Sequence, residues 1–428
     1  MPDNFQRREI GKEIYLSKIS DPRFKTNLIS INFFTPLSEE TASENAVVSH
    51  YLSKCSRKYP TYALMNNKLS AMYSTRLSGD VLQFGDTQAL SFGINYIDGK
   101  YALDNEKMDI EAVEMITDCL FDPLEEKGKF DEKLIKREKQ SVIDDIESEI
   151  NNKQSYASIK AAEIMYKGEP YALDILGTVK KAKEVTAESS YKAYLRMLKH
   201  CRVEIICSGV SDFEEVKKKL ICTFSKLERE DIFPCRTEVS PLKQLLAKVR
   251  ETMNVVQSNM IVGFKTDCQN SSAMILMNEI FGGTPTSKLF SNVREKMSLC
   301  YSCFSSFNWL KGALSVRCGV EKEKIEPAYE EILNQLELMK KGEFSEEDIA
   351  NAKMYRRNYL KTFYDNLNAM AAWYMSRIYS DDLASPEEMM KRDEKITKED
   401  IIKAAQSVKL DTFYVLTSDD NSQPTQSK

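Results

Sequence analysis

The sequence predicts an α+β protein of two homologous domains, each an antiparallel sheet with helices packed on one face. Three observations lead to this prediction. Alternating or β-branched segments are interleaved with long amphipathic segments throughout the 428 residues. Landmarks of the first half recur in the second at nearly constant offsets. Between the halves, the stretch 224–246 loses this pattern and carries Pro234 and Pro241, which is typical of a linker.

The recurrence is clearest at the starts of two pairs of helices. Phe130 and Phe344 precede acidic helix starts and are 214 residues apart (344 − 130). Thr186 and Thr397 begin later helices and are 211 residues apart (397 − 186). Two copies of one domain explain these offsets. We therefore predict the following organisation: an N-terminal domain at 1–223, a linker at 224–246 and a C-terminal domain at 247–428.

The predicted elements of the first half begin with strands and continue with helices. β-branched and aromatic residues predict strands at 13–19 and 28–36, the second ending at Pro36. A helix is predicted to begin near Ser43, which places His50 on a helix. The remaining predictions are a helix at 61–72, antiparallel strands at 80–84 and 89–97, helices at 105–122, 130–152, 155–166 and 187–198, and a buried strand at 202–208.

Charge and hydropathy exclude several classes of partner. The formal net charge is −5, with 60 basic and 65 acidic residues dispersed along the chain. Such a balance creates no field that would attract a nucleic acid. No run of 18 apolar residues occurs, and the first residues lack the apolar core of a signal peptide. We therefore expect a cytoplasmic protein with no nucleic-acid or membrane partner.

The numbers and positions of the cysteines and histidines limit which metal and redox sites the chain could form. The ten cysteines are scattered, which is typical of reduced, buried thiols. Cys300 and Cys303 form a C-x-x-C, but no second pair or thioredoxin-like context accompanies it, so we interpret this spacing as coincidence. The two histidines, His50 and His200, are 150 positions apart. Nothing in the sequence pairs them in a metal site.

The stretch around His50 stands where a zinc motif would be expected. On a helix bearing H-x-x-E-H, the two histidines are four apart and bind one metal, while the glutamate polarises a water. In Ser49-His50-Tyr51-Leu52-Ser53-Lys54 only the first histidine is present. Taken alone, a histidine on an apolar helix is more often a hydrogen-bonded core residue than a ligand.

The most specific stretch lies in the second half, at 281–302. It contains Gly282-Gly283, interpreted as a glycine turn, followed by Ser-Lys-Leu-Phe-Ser-Asn-Val-Arg-Glu-Lys-Met-Ser-Leu-Cys-Tyr. The lysine and serine spacing of a phosphate-binding loop is absent. Arg294 and Tyr301 are seven residues apart, which on a helix would place both on one face.

These features together resemble the pitrilysin/insulinase family of inverted-motif zinc peptidases, over nearly the whole chain. The resemblance implies that the family's first histidine falls on His50, its catalytic glutamate on Ser53 and its second histidine on Lys54. A later helix, within E-x-x-x-V-x-x-E, implies a supporting glutamate at Glu138 and a third ligand at Asp145.

The departures from the motif imply that zinc does not bind in this chain. Ser53 has no titratable group that could serve as a general base. Lys54 brings a positive charge where a neutral imidazole should bind a dication. Its ammonium could instead replace the metal's charge by pairing with Asp145 or Glu138; alternatively, Lys54 is an ordinary solvated lysine.

The second-half element, by contrast, matches the family's pattern. The resemblance implies that Arg294 and Tyr301 reach a substrate beside the zinc, where they can bind the oxygen that becomes negative when the scissile carbonyl turns tetrahedral. It further implies that the two domains face each other as a clamshell, and a peptide could add as a strand to a sheet edge near 81–97.

The resemblance therefore implies a non-catalytic, zinc-less subunit of a heterodimeric metallopeptidase. A homologous, zinc-bearing subunit would be the partner and an extended peptide the substrate, and the chain could pair with itself when the partner is absent. The nearest branch is a small bacterial one associated with aminopentanol modification of elongation factor P. Two alternatives remain open: a scaffold that only binds peptides or proteins, and a self-sufficient peptidase with an unrecognised metal.

Overall fold

The computed structural model describes residues 5–103, 106–243 and 245–419. Thirteen strands are described: β1 Phe5–Gly11, β2 Ile14–Ile19, β3 Thr26–Pro36, β4 Arg76–Phe84, β5 Thr87–Ile97, β6 Glu125–Glu126, β7 Lys129–Phe130, β8 Arg202–Ser208, β9 Ala247–Thr252, β10 Ser258–Lys265, β11 Cys300–Asn308, β12 Ala313–Val320 and β13 Lys409–Thr417.

Fourteen α-helices are described in the same residues: α1 Ala42–Leu52, α2 Tyr62–Ala71, α3 Met108–Phe121, α4 Glu132–Ser148, α5 Lys153–Met165, α6 Val179–Glu184, α7 Ala187–His200, α8 Phe213–Phe224, α9 Ser271–Asn278, α10 Ile325–Lys340, α11 Glu346–Thr362, α12 Leu367–Tyr379, α13 Pro386–Glu394 and α14 Lys398–Ser407. Two further helical segments, Glu279–Gly283 and Leu289–Lys296, have the wider π-type turn. No described helix combines the length and apolarity needed to cross a bilayer.

The predicted elements of the first half are confirmed, with shifts of a few residues at their ends. The helix predicted at 105–122 is α3; residue 105 lies outside the described residues. Local chemistry explains several starts. Thr186 and Thr397, the matched landmarks, each form a capping box at α7 and α14, which satisfies free backbone N–H groups of the first turn. Strands β1, β6 and β7 and helices α6 and α8 were not predicted.

Each half contains one large sheet. The first has strand order β1-β2-β8-β3-β5-β4, and the second β11-β12-β10-β13-β9. The predicted wholly antiparallel pairing is wrong at one place in each sheet, because β2 pairs parallel with β8 and β9 pairs parallel with β13. In the first sheet, the late strand β8 lies between β2 and β3, which run in opposite directions. It must therefore be parallel to one of them.

The prediction of helices on a single face is also corrected. Phe33 points into the main core beneath α1, α3 and α7. Its neighbour Phe34 points to the opposite face, where it stacks on Tyr379 of α12 with ring centroids 6.1 Å apart. In the second sheet, Ile261 packs against α5 while the flanking Met260 and Val262 face the other core. Both faces of each sheet thus carry a helix.

The two compact units are not contiguous along the chain. The described residues within 1–147, 173–237 and 363–383 form one unit, and those within 148–172, 238–362 and 384–428 form the other. Helix α5 therefore belongs with the second sheet and α12 with the first. The two helices begin 214 residues apart (367 − 153), the same offset as between Phe130 and Phe344. Each repeat contributes the corresponding helix to the sheet of the other repeat.

Candidate functional site

Helix α1 ends before the zinc-motif positions are complete. It stops at Leu52, and Ser53 is the capping residue. The Ser53 hydroxyl donates to the His50 carbonyl at 2.9 Å, which satisfies one of the carbonyls left free at a helix end. His50 lies on the helix, as predicted. Because Lys54 lies beyond it, the two motif positions do not share a helix face as an i, i+4 pair would.

The end of α1 packs directly on the edge strand β4. A methyl group at Gly79 would lie 2.2 Å from the carbonyl oxygen of Ser49 and 2.8 Å from the Ser53 Cβ. Only glycine permits so close an approach of helix to strand. The adjacent Asp80 places a carboxylate oxygen 3.8 Å from Nε2 of His50, which is largely buried. The histidine therefore has an acidic neighbour from β4.

The carboxylates on α4 have surroundings that oppose a metal. Glu138 is buried and accepts from Arg137, with Nη2 and Oε1 2.7 Å apart. The guanidinium of Arg137 lies 5.5 Å from the ring centroid of Tyr62, and the Lys54 ammonium lies 5.8 Å from the same centroid. Two cations therefore surround one ring here. Asp145, two turns further along α4, is exposed.

These residues do not fit a catalytic zinc ion. Such a site needs three protein ligands around one point, whereas the first-half positions present one imidazole, a serine and a lysine. The carboxylate at the supporting position is already neutralised by Arg137. Within the described ranges, the side chains that could share one ion are Cys300, Cys303 and Cys318. The degenerate zinc site is thus a packing junction rather than a metal centre.

Arg294 and Tyr301 are brought together by a different geometry from the one predicted. Arg294 lies near the end of the helical segment Leu289–Lys296, but Tyr301 lies on strand β11. The prediction of one helix face is wrong because Ser298 adopts a φ of 48° and reverses the chain. The backbone still joins the pair: Nε of Arg294 donates to the Tyr301 carbonyl at 3.1 Å.

Both side chains of this pair reach the surface. Tyr301 is 59% exposed, and its hydroxyl donates to Oε1 of Glu321 at 2.8 Å. That hydrogen bond is the main cause of a raised Tyr301 pKa, so the hydroxyl stays protonated at neutral pH. Arg294 is exposed and its guanidinium lies 4.6 Å from the Phe290 ring centroid. The pair offers hydrogen-bond donors to a ligand from outside.

The predicted glycine turn is instead a helical segment. Gly282 and Gly283 are the last residues of the π-type segment Glu279–Gly283. A methyl group at Gly282 would lie 2.6 Å from Oγ of Ser305 on β11, and one at Gly283 would lie 2.6 Å from a carboxylate oxygen of Glu279. The glycines therefore permit close packing of the helix end, which is a structural role and not an anion-binding one.

Sequence reasoning missed a third partner for the C-x-x-C pair. Cys318 on β12 joins Cys300 and Cys303 on β11, and the three sulfurs all lie within 4.8 Å of one another. A hydrogen bond from Cys303, followed by one from Cys318, lowers the pKa of Cys300. The same hydrogen bonds raise the pKa of the other two thiols. The sequence could not indicate this cluster, because Cys318 comes from another strand and only the tertiary structure brings it next to the other two.

The fold and the incomplete zinc site are similar to those of inactive M16-like peptidase chains. Residues 184–355 match the family model described as the peptidase M16 inactive domain. The chain is also similar to a probable inactive metalloprotease of Bacillus subtilis strain 168, YmfF. The two are 27% identical over 402 residues, which cover 93% of this chain and 94% of that protein.

Solved structures agree with this fold. A conserved protein from Enterococcus faecalis V583 matches with a TM-score of 0.89 at 24% identity, covering 98% of this chain and all of that one (100%). A peptidase M16 inactive domain from Pseudomonas fluorescens matches with a TM-score of 0.79 at 15% identity, covering 98% of this chain and 99% of that one. The predicted resemblance to the pitrilysin-like, or M16, peptidases is confirmed: part of the chain matches the M16 inactive-domain model, and nearly the whole chain shares the fold of the M16-like structures.

Proposed function

We propose that this chain is the non-catalytic subunit of a heterodimeric M16 metallopeptidase. Its partner would be a homologous subunit with an intact H-x-x-E-H helix and its zinc, and this chain would supply Arg294 and Tyr301. The observation that carries the proposal is the contrast between the two sites. The His50 region has lost its ligand set, whereas Arg294 and Tyr301 are joined by a hydrogen bond and exposed.

The chemistry of the pair suits a developing oxyanion. A guanidinium presents five N–H donors, and the contact with the Tyr301 carbonyl engages the Nε donor of Arg294. The Tyr301 hydroxyl is protonated and would turn from Glu321 to a substrate oxygen on binding. Donors placed in advance at such an oxygen stabilise the transition state without further reorganisation.

The peptide would bind by adding a strand to the first sheet. Strand β5 lies between β3 and β4, so it has no free edge for a peptide. Of the residues near 81–97, those available for strand addition therefore belong to the edge strand β4, Arg76–Phe84. In the described part of the sheet β4 pairs with β5 alone, and most of its residues are exposed or half-buried. Main-chain pairing along such an edge gives affinity with little sequence selectivity.

The first test is co-purification of the native chain, with identification of what accompanies it. We expect a zinc-bearing homologue. With that partner, peptide cleavage by the reconstituted pair is compared for the wild type and for Arg294→Ala combined with Tyr301→Phe. We expect a loss of roughly two to three orders of magnitude in kcat, as for other removed oxyanion donors.

A matched control is Arg250→Ala combined with Tyr355→Phe, which removes the same groups from exposed positions outside the pair. This variant should keep full activity.

Unchanged activity in the Arg294/Tyr301 variant would favour a peptide- or protein-binding scaffold. Recovery of no zinc-bearing homologue would contradict the heterodimer, and about one zinc per chain with turnover by the isolated chain would indicate a self-sufficient peptidase.

Three further expectations stay predictions. They are the association with aminopentanol modification of elongation factor P, the cytoplasmic location, and self-association of the chain when its partner is absent. The clamshell arrangement of the two domains likewise remains an expectation from the family resemblance. Identification of the co-purified partner bears on the first two, and sedimentation of the isolated chain tests the third.

A further inference from the structure

A cluster of three thiols lies in the second sheet, outside the degenerate zinc site. Cys300 and Cys303 come from β11 and Cys318 from the neighbouring β12, and their sulfurs all lie within 4.8 Å of one another. We propose that these three cysteines form a binding site for a thiophilic divalent d10 metal ion, of which Zn²⁺ and Cd²⁺ are examples. The proposal is independent of the peptidase-subunit function.

A β-bulge creates the convergence. Cys303 pairs directly with Cys318, and Ser302 pairs with Gly319, but Cys300 is already opposite Val320, so Tyr301 is an extra residue. In a regular strand, Cys300 and Cys303 would point to opposite faces because they are an odd number of residues apart. The bulge turns Cys300 back towards the face of Cys303. The same bulge leaves Tyr301 exposed.

The spacing of the sulfurs suits one shared ion. A Zn–S bond is about 2.3 Å, so sulfurs around one zinc lie roughly 4 Å apart. The separations present, all within 4.8 Å, need only side-chain adjustments to reach this value. Cys303 and Cys318 are 3% and 2% exposed, whereas Cys300 is only partly buried. An ion could therefore enter past Cys300, and an exchangeable fourth ligand could remain on that side.

The charges around the cluster favour a divalent ion. Three thiolates with one dication carry a single net negative charge, and the Arg294 guanidinium acts on Cys300 from nearby. A monovalent ion would leave two negative charges against the same guanidinium, which is costly in a partly buried site. Thiolates are also the ligands that soft metals prefer.

Core packing alone does not account for the arrangement. The chain has four other buried cysteines, Cys55, Cys119, Cys201 and Cys207, yet among the described residues the only group of three potential ligands is this one. A sheet core is filled equally well by valine or alanine. The bulge, moreover, interrupts the strand pairing at the point where it brings the Cys300 sulfur into place.

The test is a titration of the reduced full-length chain with Cd²⁺, followed by the sulfur-to-cadmium charge-transfer absorption in the ultraviolet. We expect saturation at one ion per chain. Cys300→Ser should weaken binding by at least about 10-fold, since loss of an outer-shell partner alone costs 10- to 100-fold. Cys222→Ser and Cys268→Ser, elsewhere on the chain, are matched controls and should bind as the wild type does.

Alkylation mapped by mass spectrometry provides a second measurement that needs no variant to fold. Bound Cd²⁺ should protect Cys300, Cys303 and Cys318 together, without changing the labelling of Cys222. Absence of the charge-transfer band, equal binding by Cys300→Ser, or protection of a different set of thiols would each overturn the proposal.

Discussion

The two units place a helix end against an edge strand in the same way, but with the glycine on opposite partners. In the first unit Gly79 is on strand β4 and faces Ser49 and Ser53 of the α1 end. In the second unit Gly282 is on the helical segment and faces Ser305 of β11. One partner must lack a side chain for such an approach, and either can do so.

The two junctions share this close packing but carry different side chains. The first junction carries His50 with an incomplete ligand set, and the second leads into Arg294 and Tyr301. The close helix–strand contact is therefore present in the first unit without a complete set of metal ligands beside it. Packing and chemistry depend on different residues here, so each can be altered separately by mutation.

A second contrast concerns α5 and α12, the helices that each repeat contributes to the sheet of the other repeat. Helix α12 is held on the first sheet by neutral groups: the Tyr379 hydroxyl makes hydrogen bonds of 2.7 Å with both Thr87 and Thr237. The chain after α5 is held on the second sheet by charges. Glu169 lies 2.9 Å from the ammonium of Lys311 and 3.3 Å from that of Lys265. Both lysines are 1% exposed.

The largest expected effect is on the charged anchor. Glu169→Gln leaves two buried ammonium groups without their shared carboxylate. Breaking a buried ion pair from one side is strongly destabilising, so we expect a loss of about 3 kcal/mol in the free energy of unfolding. Urea denaturation measures it. Glu163→Gln, which removes an exposed partner of Lys160, should change stability by less than about 0.5 kcal/mol.

The same anchor should make the wild type sensitive to acid. Burial acts to raise the pKa of Glu169, but hydrogen bonds from Ser240 and Lys311 and the charges of Lys311 and Lys265 lower it overall from its ordinary value of 4.5. Its contribution is therefore complete above pH 4.5 and is lost as the pH falls through the lower folded pKa. Equal acid sensitivity in Glu169→Gln would contradict this assignment.

The glycine junctions should respond unequally to an added methyl group. In Gly79→Ala the new Cβ meets a backbone carbonyl oxygen at 2.2 Å. In Gly282→Ala it meets the Ser305 hydroxyl at 2.6 Å and the Leu289 Cδ1 at 2.7 Å, and the nearest backbone atom, the Ser305 nitrogen, lies at 2.9 Å. A hydroxyl can rotate away more easily than a helix backbone can move. We expect losses of about 3 kcal/mol and about 1 kcal/mol in the free energy of unfolding, within the range for overpacking.

Thermal denaturation of both variants tests this order. Gly93→Ala is the control, since its added Cβ would meet the Ser78 hydroxyl at 3.3 Å and the Leu28 Cδ1 at 3.9 Å and should be tolerated. A larger loss for Gly282→Ala than for Gly79→Ala would show that the second junction is the more rigid one.

The smallest expected effect is at Lys54. Its ammonium lies 5.8 Å from the ring centroid of Tyr62, a ring that is itself half exposed. Lys54→Met keeps the aliphatic chain and removes the charge, so we expect a change of less than about 0.5 kcal/mol. Chemical denaturation checks it, with Lys54→Arg as the charge-preserving control. A loss above about 1 kcal/mol, restored by arginine, would show that Lys54 took over the metal's structural charge.

Much of this protein followed from local pattern. The capping threonines Thr186 and Thr397, the strand that ends at Pro36 and the 214-residue repeat are all readable along the chain, because caps, alternation and duplication are short-range properties. The missing zinc-motif residues at positions 53 and 54 are likewise visible in the sequence. A serine and a lysine do not supply the general base and the second histidine that the motif needs, whatever the fold. The resemblance to the inactive M16 peptidases rested on these features and on the residues around Arg294.

Tertiary structure decided what depends on contacts between distant segments. The exchange of α5 and α12 was not predictable, because an amphipathic helix does not encode which of two similar sheets it will cover. The insertion of β8 between β2 and β3, and hence the parallel pair, depends on strand order. The reversal at Ser298 and the bulge at Tyr301 are changes of a few dihedral angles. This reversal and this bulge determine the direction of the Tyr301 side chain and which cysteines lie close together. Neither can be predicted from the spacing of residues in the sequence.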